Sequence, residues 1–261
     1  MEKNPDTIII WGLHPVEEAL LRAPSAVKAV YHLPSFGKKK AQKRLLGLVR
    51  RAGLRASRLP DFHAFAIPSG AVHQGVAAVV KPIWDRDLSW LLSRIRQKME
   101  AGAVAGDRAP LVVVLDRLED PQNLGAAIRS STAFRADAVV IPSRRGSPVT
   151  GAVVKASAGT IFSARVCRVG NLVRALEAMI DAGLMAAALE GGSSMAVSDA
   201  DLRPALALVT GAEGRGIRKG VSALCRISVR IPISRQVESL NASAALAVAL
   251  YEVNRQRALH L

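Results

Sequence analysis

The sequence predicts an α/β protein in which a mostly parallel sheet, covered by helices on both faces, follows a smaller α/β unit. Three observations carry this prediction. From residue 111 onward, apolar runs without polar alternation (LVVVL at 111–115, AVVI at 138–141, LALVT at 206–210) are separated by stretches of helical periodicity, as expected for strands buried on both faces. Before residue 82 the elements are fewer and the chain is far more basic. Between the two lies GAVAGDRAP at 102–110, small and rich in helix and strand breakers.

In order along the chain, the first part alternates a helix at about 16–21, a strand at 27–32, a basic helix within 38–58 and a strand at 75–80. These 81 residues are expected to form a small, compact α/β domain. Pro82 then interrupts the chain, and Leu88, Leu91, Leu92 and Ile95 recur at helical spacing within 85–99, so residues 82–110 are expected to be a linker containing a helix. The remainder, 111–261, alternates strand 111–115, helix 124–134, strand 138–141, helix 150–157, strand 160–167 and helix 171–181. It continues with strands 184–189, 206–210 and 226–230 and a last helix at 238–257. That last helix is apolar on more than one face (Leu240, Ala244, Leu246, Ala247, Ala249, Leu250, Val253), which predicts burial against a partner as well as the sheet.

Composition narrows the function. With 36 Lys and Arg against 21 Asp and Glu, the formal net charge is +15, which favours a polyanionic partner. The excess is concentrated between residues 38 and 58, where nine basic side chains occur with no acidic one. Lys38, Lys39, Lys40, Lys43, Arg44, Arg50 and Arg51 form the polar side of an amphipathic helix whose apolar residues are Leu45, Leu46, Leu48 and Val49. This is the expected RNA-phosphate surface; the alternatives are a merely solvated face and a membrane-surface helix, the latter disfavoured because 38–58 lacks the Trp or Phe that interfacial helices commonly use. Aromatic residues make up only 4% of the chain, so phosphate and shape reading should dominate over base stacking, with Phe36, Phe62 or Phe65 the aromatic candidates.

Two cysteines lie far apart without metal spacing, and the five histidines form no ligand pair, so neither a disulfide nor a metal is expected. No apolar leader is present, and the longest apolar stretch, 242–250, is too short for a bilayer, so a cytoplasmic protein without membrane contact is expected.

The chemistry is concentrated in three segments, each ending an apolar strand in Gly, Asn or Ser: 111–129 (LVVVLDRLEDPQNLGAAIR), 206–217 (LALVTGAEGRGI) and 231–252 (IPISRQVESLNASAALAVALYE). Ligands of open α/β sheets bind outside the carboxyl ends of strands, so three such clusters imply one shared site. In the first, Asp120 or Asn123 can cap a helix with Pro121 in its first turn, and Arg129 stands four residues after Gly125. In the second, the glycines lack the GxGxxG and GxxxxGKS spacings, which argues against a dinucleotide fingerprint or a phosphate loop. In the third, Pro232 is consistent with a chain leaving the sheet, and Ser239 and Asn241 stand where a helix begins.

These three segments, in order and spacing, resemble the signature motifs of the SpoU (TrmH-like) family of RNA ribose 2′-O-methyltransferases, within the knotted superfamily that uses S-adenosylmethionine. Residues 8–80, with WGLH at 11–14 and HQGV at 73–76, are similar to the small substrate-binding domain of its bacterial 23S rRNA guanosine methyltransferase branch. The resemblance implies a trefoil-knotted second domain, S-adenosylmethionine as methyl donor, and a homodimer paired through the last helix, the two subunits completing each site.

The resemblance further implies catalytic roles for Arg129, Asn123, Glu213, Ser239 and Asn241, and cofactor contacts from Thr210, Gly211, Gly216, Ile231, Ile233 and Leu240. Arg129 suits orientation of a ribose hydroxyl and stabilisation of a developing alkoxide, because a guanidinium holds its proton near neutral pH. The expected reaction is 2′-O-methylation of RNA, with a guanosine of 23S rRNA as substrate. The alternatives are tRNA methylation and an inactive, RNA-binding ribosome assembly factor. The chain departs from the family in Arg235 and Arg135, both at common glycine positions, and Arg135 falls where a left-handed residue should end a helix.

Overall fold

The computed structural model describes residues 7–83, 85–143 and 146–258. In chain order these form β1 (Ile8–Trp11), α1 (Leu13–Arg22), β2 (Val27–His32), α2 (Lys40–Arg51), β3 (Ala56–Arg58), β4 (Val76–Val80), β5 (Asp85–Arg86), α3 (Leu88–Glu100), β6 (Leu111–Asp116) and α4 (Pro121–Ala133). They continue as β7 (Ala138–Pro142), α5 (Gly151–Ala156), β8 (Val166–Val169), α6 (Leu172–Asp181), β9 (Met185–Leu189), β10 (Leu206–Gly211), α7 (Lys219–Ser222), β11 (Ile227–Val229) and α8 (Ala242–Ala258). The chain divides into two compact units, one running to residue 84 and taking in Val149–Ser163, the other made of Asp85–Pro148 and the chain from Ala164 onward.

The first unit is built on a four-stranded sheet of order β1-β4-β2-β3, in which only the β2–β3 pair is parallel. Its central strand β4 is almost wholly buried, whereas β1 and β3, which periodicity did not single out, are short edge strands of four and three residues. The helix α2 buries Leu45, Leu48 and Val49 and leaves its basic residues in water. Helix α5 packs on β1 so closely that a Cβ on Gly151 would collide with the Ile9 carbonyl and the Trp11 indole. Residues 160–162, expected to open a strand, instead form a 3-10 turn entered through left-handed Gly159, and β8 begins only at Val166.

The second unit carries a seven-stranded sheet of order β11-β9-β10-β6-β7-β8-β5, with every neighbouring pair parallel. Every residue of β6 and β10 is buried, the sequence signature of strands covered on both faces. Alternate residues (Val112, Val114, Val140, Ala207, Val209) share one apolar cluster with α3 and α6, while α4 and α8 pack on each other and against β7 and β10 respectively. Within the stretch expected as a linker, β5 extends the sheet alongside β8, and α3 packs on α6. Beneath the amino ends of β6 and β10, the nearly buried Arg257 of α8 donates to the carbonyls of Ala109, Pro110, Leu202 and Pro204. Burial pulls its pKa down to about 10, so it remains a cation at neutral pH and ties the last helix to both strands.

Helix α4 ends as its sequence position required. Arg135 follows the cap residue Phe134 at φ +59°, and the amides of Arg135 and Ala136 return to the carbonyls of Thr132 and Ser131 at 3.1 and 2.8 Å. A side chain in this left-handed conformation costs about 1 kcal/mol, and the ion pair of Arg135 with Asp107 at 3.7 Å is largely exposed and offsets little of that. Arg135→Gly should therefore stabilise the protein by about 0.5–1 kcal/mol in urea unfolding, with an unchanged slope; a loss of stability would show that strain is absent there.

Candidate active site

The carboxyl ends of three neighbouring parallel strands, β11, β9 and β10, open into one cavity of about 1120 Å³. Four stretches line it: 189–195 after β9, 210–216 after β10, 226–231 around β11, and parts of 233–245 leading into α8. All six residues expected to contact a cofactor, Thr210, Gly211, Gly216, Ile231, Ile233 and Leu240, are on its wall, as are Glu213 and Ser239.

The loop after β10 is held shut by its own backbone. Gly216 donates to the Ala212 carbonyl at 2.8 Å, and a Cβ on Gly211 would run into the Gly216 carbonyl carbon and oxygen, so position 211 admits only glycine. Its far end is fixed by Asp116, the fully buried last residue of β6. This carboxylate accepts from the Arg218 amide at 2.8 Å and from the Arg218 guanidinium at 2.8 Å. A buried charge paired in this way sets the path of the loop that carries Glu213.

The motif side chains meet at the start of α8. Asn241 caps that helix, its Oδ1 accepting from the amides of Ser243 and Ala244 at 3.0 and 3.3 Å. Its Nδ2 donates to Asn123 Oδ1 at 2.7 Å and to Glu213 Oε2 at 3.3 Å, so one residue from each signature segment joins a single hydrogen-bonded cluster. The helix thus starts four residues later than periodicity implied, because 231–241 is spent on the cavity wall. In α4 the cap is Asp120, accepting from the amides of Gln122 and Asn123, which leaves the Asn123 side chain free to reach Asn241.

Arg129 is not drawn into this cluster. It stands exposed on α4, outside the cavity wall and without an ion pair among the described residues. Arg235 is exposed in the 231–241 loop, also off the wall. Sequence reasoning did not single out Glu190, Ser193, Arg226 or Arg230, all of which line the cavity. The signal for the first two was present in EGGSS, directly after the strand at 184–189, which obeys the same carboxyl-end rule as the other segments.

In the first unit, Lys38, Lys39, Lys40, Lys43, Arg50 and Arg51 are exposed around α2. Arg44 is also exposed but is engaged by the nearly buried Glu17 at 2.6 Å, which makes it partly a structural residue. The aromatic candidates are corrected by burial: Phe36, Phe62 and Phe65 are each at most 8% exposed, and Phe62 and Phe65 pack edge-to-face with each other and with His73 and Tyr31. They hold the domain together and offer no face to a base. Both cysteines are free, with burial pushing the Cys167 thiol up to about 11 and the Cys225 thiol up to about 12. Among the described residues no cluster of three metal-ligating side chains occurs, and no helix is long and apolar enough to cross a membrane.

Comparison with known proteins agrees with this geometry. Residues 110–251 match the SpoU rRNA methylase family, and residues 9–83 match the family described as RNA 2′-O ribose methyltransferase substrate binding. An uncharacterised tRNA/rRNA methyltransferase of Mycobacterium leprae is 37% identical over 99% of this chain and 81% of its own length. A TrmH-family tRNA/rRNA methyltransferase assigned in Staphylococcus epidermidis is 35% identical over 97% of both chains. Among solved structures, the SpoU methyltransferase AviRb from Streptomyces viridochromogenes in complex with AdoMet is similar at a TM-score of 0.75 and 25% identity, covering 99% of this chain and 95% of that one. The chain belongs to the SpoU rRNA methylase family.

Proposed function

We propose that this protein transfers a methyl group from S-adenosylmethionine to a ribose 2′-hydroxyl of RNA, with a guanosine of 23S rRNA as the substrate. The observation that carries the reading is the convergence of all three signature segments on the end of one parallel sheet, with Asn123, Glu213 and Asn241 hydrogen-bonded beside a cavity walled by the expected cofactor residues. The cavity has the size of a small-molecule site, and the cofactor's chemistry fits its walls: carboxylates at Glu190 and Glu213, cations at Arg226 and Arg230, and glycines that permit backbone approach.

When bound there, S-adenosylmethionine supplies an electrophilic methyl on a sulfonium. The chain's own residues have to align the 2′-oxygen with that methyl and stabilise charge on the oxygen as the proton leaves. Alignment of two reactants can lower a barrier by about 7–11 kcal/mol, which makes positioning the main contribution. Asn241, fixed by its capping bonds and by Asn123, holds Glu213 in place, and Ser239 offers a hydroxyl on the same wall. Arg129 acts as the cation that orients the hydroxyl and stabilises the alkoxide.

Because Arg129 stands outside the cavity of its own chain, it is assigned to a site completed by a second copy. The outer face of α8 supports this, since Ala244, Val248 and Tyr251 form an exposed stripe, with Val248 and Tyr251 at 43% and 58% exposure. A knotted path for 231–241, as the family resemblance implies, belongs to the same reading. The basic face of α2 grips RNA phosphates, and the separate substrate-binding unit favours a large structured RNA over tRNA.

Incubation with methyl-labelled S-adenosylmethionine and unmodified 23S rRNA, 16S rRNA or tRNA, followed by mapping of labelled ribose, tests the reading. Label in 23S rRNA is expected; label in tRNA alone would change the substrate, and no label on any RNA or ribosomal precursor would leave an RNA-binding assembly factor. Arg129→Ala should lower transfer at least a hundredfold while cofactor binding changes less than twofold, and equal activity would remove Arg129 from the reaction. Replacing Lys38, Lys39 and Lys40 together by Ala should weaken RNA binding and reduce the slope of log affinity against log salt by about 2–3; an unchanged slope would place the RNA elsewhere.

A further inference from the structure

One carboxylate on the cavity wall has no part in the signature segments. Glu190 follows β9 directly, at the point where the chain turns through Gly191 and Gly192, and its amide is anchored to the Val229 carbonyl of the neighbouring strand at 2.9 Å. Its carboxylate accepts from two hydroxyls, Ser222 of α7 at 3.3 Å and Ser228 of β11 at 3.2 Å, and forms no ion pair among the described residues. A half-buried carboxylate held by neutral donors alone retains acceptor capacity, since an ionised carboxyl group offers about four lone-pair directions. At both following glycines a Cβ would meet nothing within 4 Å, so no side chain crowds the approach on this edge.

Resting on the assignment of S-adenosylmethionine to this cavity, we propose that Glu190 is the residue that recognises the cofactor's own ribose, accepting hydrogen bonds from its vicinal 2′- and 3′-hydroxyls. The chemistry favours a diol over a cation. A sulfonium makes no hydrogen bond and would draw on the whole carboxylate charge, whereas Ser222 and Ser228 both hold the group through Oε2, fixing its plane and leaving Oε1, approached only by Ser222 at 3.4 Å, as the more open acceptor for a hydroxyl donor. Ser222, which lies off the cavity wall, is then a positioning residue: it holds the carboxylate from α7, while Ser228 holds it from β11.

Calorimetry with S-adenosylmethionine, S-adenosylhomocysteine and the 2′-deoxy and 3′-deoxy forms of the latter tests this without any turnover. The parent protein should bind the deoxy forms about tenfold more weakly than S-adenosylhomocysteine. Glu190→Gln should bind S-adenosylhomocysteine about tenfold more weakly than the parent and lose most of the discrimination against the deoxy forms. Its melting temperature and RNA affinity should stay at the parent's values, which separates the effect from misfolding. Ser222→Ala, which leaves the carboxylate in place, should keep the discrimination.

If Glu190→Gln binds and discriminates as the parent does, the inference falls while the cofactor assignment stands. A loss confined to S-adenosylmethionine and spared for S-adenosylhomocysteine would make Glu190 a partner of the sulfonium and overturn the diol assignment. If Ser222→Ala erases discrimination as fully as Glu190→Gln, the carboxylate is a brace between two elements and the inference again falls. A parent that binds none of the four ligands would sink the cofactor assignment and the inference with it.

Discussion

When neighbouring strands all run in one direction, each needs a return path of its own, and the returns can only be accommodated by helices laid over the faces. In the larger unit this constraint places α3 and α6 over one face and sets α4 and α8 against β7 and β10. It also gathers the strands' carboxyl ends at a single edge, where the backbone has to leave the ladder and its polar groups need new partners. The loops after β9, β10 and β11 are those departures, and the cavity is the space between them. The site is thus a consequence of strand direction before any particular side chain is considered.

Two buried charges brace the sheet, one at each end of its central strands. Asp116 closes the loop that carries Glu213 by binding Arg218, and Arg257 fastens α8 at the opposite ends of β6 and β10. Both work through the same economy, a charge removed from water and surrounded by donors or acceptors held in place by strands. Asn241 is then constrained twice, as the cap of α8 and as the bridge between Asn123 and Glu213, so a change at the helix start is felt in all three signature segments. Such over-determination suits a reaction in which positioning supplies most of the barrier reduction.

Much of this was legible beforehand. The unbroken apolar runs at 111–115 and 206–210 announced strands covered on both faces, and the polar cluster after the second lies on the cavity wall. Arg135 was readable as a left-handed residue from its place after a helix. Elements whose pairing depends on distant residues were not legible. The four-residue β1 and three-residue β3 owe their strand character to neighbours, and β5 is a strand only because β8 lies beside it. The aromatic residues at 62 and 65 misled because composition cannot distinguish a ring that stacks on a base from one that stacks on another ring. Glu190 could be read as a strand-end residue from EGGSS, but not its two serine partners, which lie more than thirty residues away.

Helix α5 gives the molecule an unusual modularity. Residues 149–163 lie in the sequence among the strands of the larger unit, yet they pack as part of the smaller one, where Gly151 lies against Ile9 and Trp11 and Gly159 against Pro15 and Glu18. Sequence boundaries and spatial boundaries therefore do not coincide. A fragment cut near residue 84 would carry a sheet with an apolar edge uncovered, and the complementary fragment would carry a helix deprived of its seat. Gene rearrangements that exchange the smaller unit as one contiguous block meet the same obstacle, so the two units are expected to change together in evolution, despite having separate cores.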